Sequence, residues 1–143
     1  MDVELREITA DTVRDVCALE VARDQRGFVA PNAVSIAEAH FTPQHWMRAI
    51  YADGRPAGFI LTWEEPGKPA YLWRFMVAEG DQRRGIGRRA LELLLLHWRE
   101  TGATTGKLSV EPENRGGIVF YESLGFRLTG EQEHGELVMA RPL

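Results

Sequence analysis

Cysteine is all but missing: Cys17 stands alone in 143 residues, so no internal disulfide can form, and no Cys/His cluster has zinc-ligand spacing. A reducing, cytoplasmic setting is expected, with no metal site. Long apolar runs are missing too. The longest, Leu93-Leu94-Leu95-Leu96, falls far short of the ~20 residues that span a bilayer, and no apolar stretch follows a basic N-terminus. Neither membrane insertion nor Sec-type export is expected. Basic residues are outnumbered, 17 Lys+Arg against 21 Asp+Glu, and form no dispersed stripe of the kind that holds nucleic acid.

What is present describes an ordinary folded domain. Hydrophobic residues make up 44% and charged residues 27%, shares that argue against disorder, collagen-like repeats and a coiled coil. The length suits a single domain, 1–143, with one core and at most one active site. Charge is unevenly placed, however: Asp81 to Ala90 carries four arginines and one acid, a local +3 that leaves −7 to the rest of a chain totalling −4. Such a spot fits one small polyanion, a phosphorylated cofactor better than DNA.

Period-two alternation in Val3 to Ile8 predicts a strand, and Thr9-Ala10-Asp11 offers a cap for a helix carrying Val13, Val16, Cys17 and Leu19. A loop, Arg23 to Ala30, leads to a short helix from about Ser35 to His40, where Ser35 and Glu38 have capping-box spacing. Trp46–Tyr51, the turn Asp53-Gly54 and Pro56–Trp63 read as an antiparallel hairpin. Ala70 to Ala78 reads as a central strand. The helix Ile86 to about Glu100 is apolar on two adjoining stripes, and the second, Leu91, Leu95 and Trp98, either packs inside the core or forms a homodimer contact. Lys107–Val110, a helix from Gly117 to Leu124 capped by Gly125, and strands Phe126–Thr129 and Leu137–Ala140 around a Gly130–Gly135 loop complete the chain.

The segment between the central strand and the long helix, Gln82-Arg83-Arg84-Gly85-Ile86-Gly87, has the composition of an anion cradle. Its glycines let backbone approach a ligand, the helix start offers free N–H groups and a positive dipole end, and Arg83, Arg84, Arg88 and Arg89 add charge. A glycine turn feeding a surface helix with solvated arginines would read the same way. Ala90 stands where a dinucleotide fold needs its third glycine, and Arg88-Arg89 where a P-loop needs Lys-Ser/Thr, so both of those sites are disfavoured.

Downstream, Asn114-x-x-Gly117-x-x-Phe120-Tyr121-Glu122-x-x-Gly125-Phe126 makes the pattern specific. Together with Gln82-x-x-Gly85-x-Gly87 it resembles the GNAT superfamily of acyl-CoA-dependent N-acetyltransferases, over most of the chain. The resemblance implies an α+β fold: a mostly antiparallel sheet of six to seven strands, splayed between its central strands and flanked by about four helices. It also implies acetyl-CoA as cofactor. Gln82, Arg83, Arg84, Gly85, Ile86, Gly87 and Arg88 would hold its pyrophosphate, and the backbone of Phe75, Met76 and Val77 its pantetheine arm. Asn114 and Gly117 would lie nearer the reactive end, with Tyr121 beside the sulfur as general acid and a strand amide near Val77 polarising the carbonyl. Glu111 is the general-base candidate, with Glu64 and Glu65 as alternatives.

Gln25-x-x-Phe28-Val29 to Ala39, Leu72-x-Arg74-Phe75 and the closing Gly130–Met139 segment resemble bacterial spermine/spermidine acetyltransferases. That implies a small-molecule amine as partner, a polyamine in particular, and the net −7 outside the arginine patch suits a polycation. Phe28, Trp63, Trp73 and Glu38 are candidate substrate-binding residues, with Tyr71 a further aromatic of that cleft and Glu20, Asp24, Glu131 and Glu133 at its entrance. Trp73 stands where polyamine enzymes of this type carry an acid. A peptide or protein amine as acceptor, or a non-catalytic acyl-CoA-binding module, are the alternatives.

Overall fold

The computed structural model describes residues 1–143. Seven strands alternate with four helices: β1 (Val3–Arg6), α1 (Val13–Cys17), α2 (Asn32–Ala39), β2 (His45–Ala52), β3 (Arg55–Trp63), β4 (Ala70–Val77), α3 (Ile86–Glu100), β5 (Thr105–Val110), α4 (Arg115–Ser123), β6 (Arg127–Glu133) and β7 (Glu136–Pro142). They build one sheet in the order β1-β2-β3-β4-β5-β7-β6, antiparallel throughout except between β4 and β5. No helix is long and apolar enough to cross a membrane.

Each face of the sheet buries its own core. Ile86, Ala90, Leu91, Leu94, Leu95 and Trp98 of α3 pack with Ile50, Ile60, Leu72, Leu108 and Met139, while Val16 and Val21 pack with Phe59, Leu61 and Met76 on the other side. The stripe Leu91, Leu95 and Trp98 is thus consumed inside the chain, and the expectation that it forms a homodimer contact loses its basis. Trp98 lies so close to β5 that a Cβ at Gly106 would stand 2.7 Å from its ring.

Three local expectations are corrected. The second helix starts at Asn32, so Ser35 lies buried within it and forms no capping box; Pro31, pre-set in φ, occupies the start instead. The first helix is entered from Thr12, whose hydroxyl accepts from the Thr9 N–H at 2.9 Å. Within the expected Gly130–Gly135 loop, Gln132 and Glu133 pair with Leu137 and Glu136 up to a two-residue turn, His134-Gly135, both at positive φ like Asp53-Gly54. Gly130, at φ +87°, marks a bulge inside β6.

Candidate active site

The site originates in one irregularity of β4. Leu61 pairs with Arg74 and Thr62 with Leu72, so Trp73 is an extra residue on β4, a bulge that bends the strand. Pairing with β5 stops at the same place, at Leu72–Leu108, while β5 continues alongside β7 to Val110–Leu137. The two central strands therefore splay, leaving the β5-facing edge of β4 open from Trp73 to Val77. Ala78 N–H donates to the Ala57 carbonyl, and by alternation Met76 turns its backbone toward β3 while Phe75 and Val77 turn theirs to the open edge. Met76 is therefore corrected as a backbone partner for a ligand; Phe75 and Val77 keep that geometry.

The arginine-rich loop closes one end of the splay. Arg83 at φ +61° and Gly85 at φ +83° turn the chain in the left-handed region, and α3 begins with no side-chain cap. As a result none of the six amides from Arg83 to Arg88 has an acceptor within the chain. A Cβ at Gly87 would meet the Phe75 ring at 3.3 Å, so glycine lets this helix end seat against β4. Side chains depart from expectation. Arg84 reaches Asp81 at 3.3 Å and Ile86 is buried in the core, leaving only their amides to the loop. Arg88 bonds Ser123 and Arg89 faces Glu92, so Arg83 alone of the four arginines has no ion pair or hydrogen-bond partner for its side chain. Asp81, with 8% of its side chain exposed, is held by Arg55 as well, and those bonds lower its carboxyl below the usual range. Gln82 turns inward, donating to the Val77 carbonyl at 2.9 Å and to Gln25 at 2.6 Å.

Tyr121 lies across the opening, on α4. Its ring meets Phe75 and Phe126 edge-on and Phe120 at a tilt, while its hydroxyl bonds to nothing in the chain. Burial raises the phenol above its ordinary value, so it stays protonated through neutral and alkaline pH. Asn114 caps α4 by accepting from the Gly117 N–H at 3.0 Å, which leaves its amide nitrogen unbonded. Gly117 serves that cap: a Cβ there would stand 2.6 Å from the Asn114 side chain, so its small size makes room for asparagine first.

The β4 edge at Phe75 and Val77, Gln82, Arg83, Gly85, Gly87 and Arg88 of the arginine loop, and Asn114, Gly117 and Tyr121 line one cavity of about 1180 Å³, which continues to Phe28, Tyr71, Trp73, Glu111, Glu133 and Glu136. Tyr71 donates to Glu133 at 2.9 Å, and burial, with that carboxylate beside it, pushes its phenol up to about 12. Ser109 donates to Glu136 at 2.9 Å, and Glu133 and Glu136 sit directly opposite each other at the tip of the β6–β7 hairpin. Three expected residues fall elsewhere. Trp63 stands edge-on to His45 away from the cavity, Glu38 pairs with Arg74 at 3.5 Å, and Glu64 takes hydrogen bonds from Thr62 and His97. Burial works to raise the Glu64 carboxyl, but those bonds bring it below its ordinary value, and it does not reach the cavity. Glu65 pairs with Lys68 instead. Of the entrance acids, Glu133 lines the cavity and Glu20, Asp24 and Glu131 do not. Glu136, part of the closing Gly130–Met139 segment but not among the expected site residues, comes to the cavity because it pairs directly with Glu133 across the turn.

A sheet splayed beside an uncapped helix start, with a tyrosine across the gap, defines an acyltransferase-type fold. The chain belongs to the acetyltransferase (GNAT) family, whose pattern matches residues 10–126. It is 26% identical, over all of both chains, to the spermine/spermidine N(1)-acetyltransferase of Bacillus subtilis (strain 168). It is 34% identical, over 66% of this chain and 69% of the other, to the [ribosomal protein bS18]-alanine N-acetyltransferase of Salmonella typhimurium. Among solved structures, PaiA N-acetyltransferase from Thermoplasma acidophilum, crystallised with coenzyme A, superposes with a TM-score of 0.76 over the whole of both chains at 18% identity.

Proposed function

We propose that the chain transfers the acetyl group of acetyl-CoA to a primary amine of a polyamine such as spermidine or spermine, by direct attack in a ternary complex. The observation that carries this reading is the single cavity joining the free amides of the arginine loop, Tyr121 and three glutamates. Amides 83–88 and the Arg83 and Arg88 guanidiniums would hold the pyrophosphate, and the open-edge backbone of Phe75 and Val77 the amide-bearing arm. Acetyl-CoA supplies an activated thioester. A backbone N–H of the open edge, that of Val77 or a close neighbour, would polarise the carbonyl oxygen as charge develops there. As the C–N bond forms and the C–S bond breaks, Tyr121 gives its proton to the departing sulfur, and Glu111 receives the amine's proton through water.

The acceptor end supports a polycation. Like charges directly opposite on paired strands destabilise a sheet, and Glu133 and Glu136 are so placed, each steadied by one hydroxyl donor. An ammonium between them relieves that repulsion, while Phe28 and Trp73, 37% and 39% exposed, flank the aliphatic spacer. The full-length match to a spermine/spermidine N(1)-acetyltransferase agrees. A peptide amino terminus is the second reading, favoured by the higher local identity to the alanine N-acetyltransferase.

The test is thiol release from acetyl-CoA with polyamines, monoamines and alanine-initiated peptides, against a Tyr121→Phe control. Spermidine or spermine should turn over best, with Tyr121→Phe slower by about a hundredfold or more while CoA affinity stays within about twofold. Turnover of peptides alone would replace the polyamine, and CoA binding without turnover of any amine would make the protein a binding module.

A further inference from the structure

The segment from Arg23 to Pro31, between the first two helices, supplies Gln25, Arg26, Phe28 and Val29 to the cavity wall opposite the arginine loop. Its far end is anchored in the core, where Val29 packs and the Asn32 side chain donates to the Val16 carbonyl at 2.9 Å. Its near end is anchored differently. Gln25 closes a single 3-10 turn, Arg23–Gln25, and accepts the Phe28 N–H on its carbonyl at 2.9 Å, so its position sets where the Phe28 ring begins. Between this segment and the loop 78–88 there is one side-chain hydrogen bond, Gln82 to Gln25 at 2.6 Å, joining residues 57 apart in sequence.

The polarity of that bond is determined by its neighbour. The Val77 carbonyl only accepts, so the Gln82 atom 2.9 Å from it is the amide nitrogen, and the Gln25 atom facing the same nitrogen must be oxygen. Gln82 is thereby spent on two protein acceptors and does not turn to the anion cradle. Its neighbours in the chain carry the free amides of the cradle, while its side chain holds the Gln25 segment.

We infer that Gln25 is a positioning residue for the acceptor amine: through Gln82 it hangs the Phe28-bearing wall from the cofactor loop, so that the wall stands in register with the loaded loop. Its claim on the acceptor rests on the acetyltransferase reading above; its claim on the wall does not. Gln25 itself touches no reacting atom. Losing one neutral hydrogen bond should change acceptor binding several-fold and leave the chemistry alone.

Two variants separate the bond from the shape of the side chain. Gln25→Met keeps length but cannot accept; Gln25→Glu still accepts the Gln82 N–H. With saturating acetyl-CoA and spermidine as the probe, Gln25→Met should raise acceptor KM about three- to tenfold with kcat and CoA affinity within about twofold, and Gln25→Glu should restore KM to near the native value. Amide hydrogen exchange in the CoA-bound protein gives the second readout, faster at residues 26–30 in Gln25→Met and native-like in Gln25→Glu. If no amine turns over, the acetyltransferase reading fails, and exchange alone decides the wall. Unchanged exchange in Gln25→Met, unchanged KM with spermidine active, or a Gln25→Glu variant as impaired as Gln25→Met would each overturn the inference.

Discussion

Charge at Asp81 shows how one residue at the cavity's margin shapes a site through its partners. Its carboxylate is nearly enclosed and bonded by Arg55, the first residue of β3, and by Arg84, three residues along. This ties the start of the anion loop to the sheet and consumes one of the arginines that sequence assigns to the ligand. The bond to Arg55 is the main cause of its lowered pKa. A carboxylate lowered in the folded state adds stability that is complete above its unfolded value of 3.8 and lost as pH falls through the folded value. Removing Arg55 raises the folded pKa toward the unfolded one. Arg55→Met should therefore lose stability at neutral pH and flatten its decline below pH 4, read by thermal melts across pH 2.5–7; parallel curves for variant and native protein would count against the assignment.

At the scale of elements, the site is made by where β4 stops pairing. Its bulge at Trp73 and its divergence from β5 after Leu72 expose the Phe75 and Val77 edge, and β3 must hold the other edge tightly. Gly58 makes that possible, because a Cβ there would run into the Met76 carbonyl and the Ile50 side chain. Gly58→Ala should lower stability by about 1–3 kcal/mol, or more since backbone must shift, and should weaken CoA binding through β4. Melting temperature and calorimetric CoA titration measure the two together. An unperturbed melt would mean that the sheet yields there without cost.

Across the whole molecule, charge is divided along one cavity, arginines and free amides at one end and Glu111, Glu133 and Glu136 at the other. Raising ionic strength from about 0.05 to 0.5 M shortens the Debye length from ~14 to ~4 Å, so KM for spermidine at saturating acetyl-CoA should rise several-fold while KM for a monoamine rises far less. Equal responses would deny the acidic end a part in selecting the acceptor. Much of this molecule was readable in advance: Asp53-Gly54 marked a hairpin, and Gly85 and Gly87 a glycine-rich helix start, because turn chemistry acts between near neighbours, whereas the cap that Asn114 gives α4 came only with the structure. The family resemblance those motifs carry also implied that Tyr121 and the arginine loop share one ligand, and the structure lines one cavity with both. What sequence could not assign was which of several like residues reaches the cavity. Glu64 and Glu111 are both acids just past a strand, yet one is committed to His97 and the other lines the opening; Trp63 and Trp73 differ in the same way, and Gln82 binds Gln25 across 57 residues. Those choices belong to the tertiary structure, since a side chain's partner across a splayed sheet depends on strand order, bulge and register, and none of these is encoded within a few residues of the side chain itself.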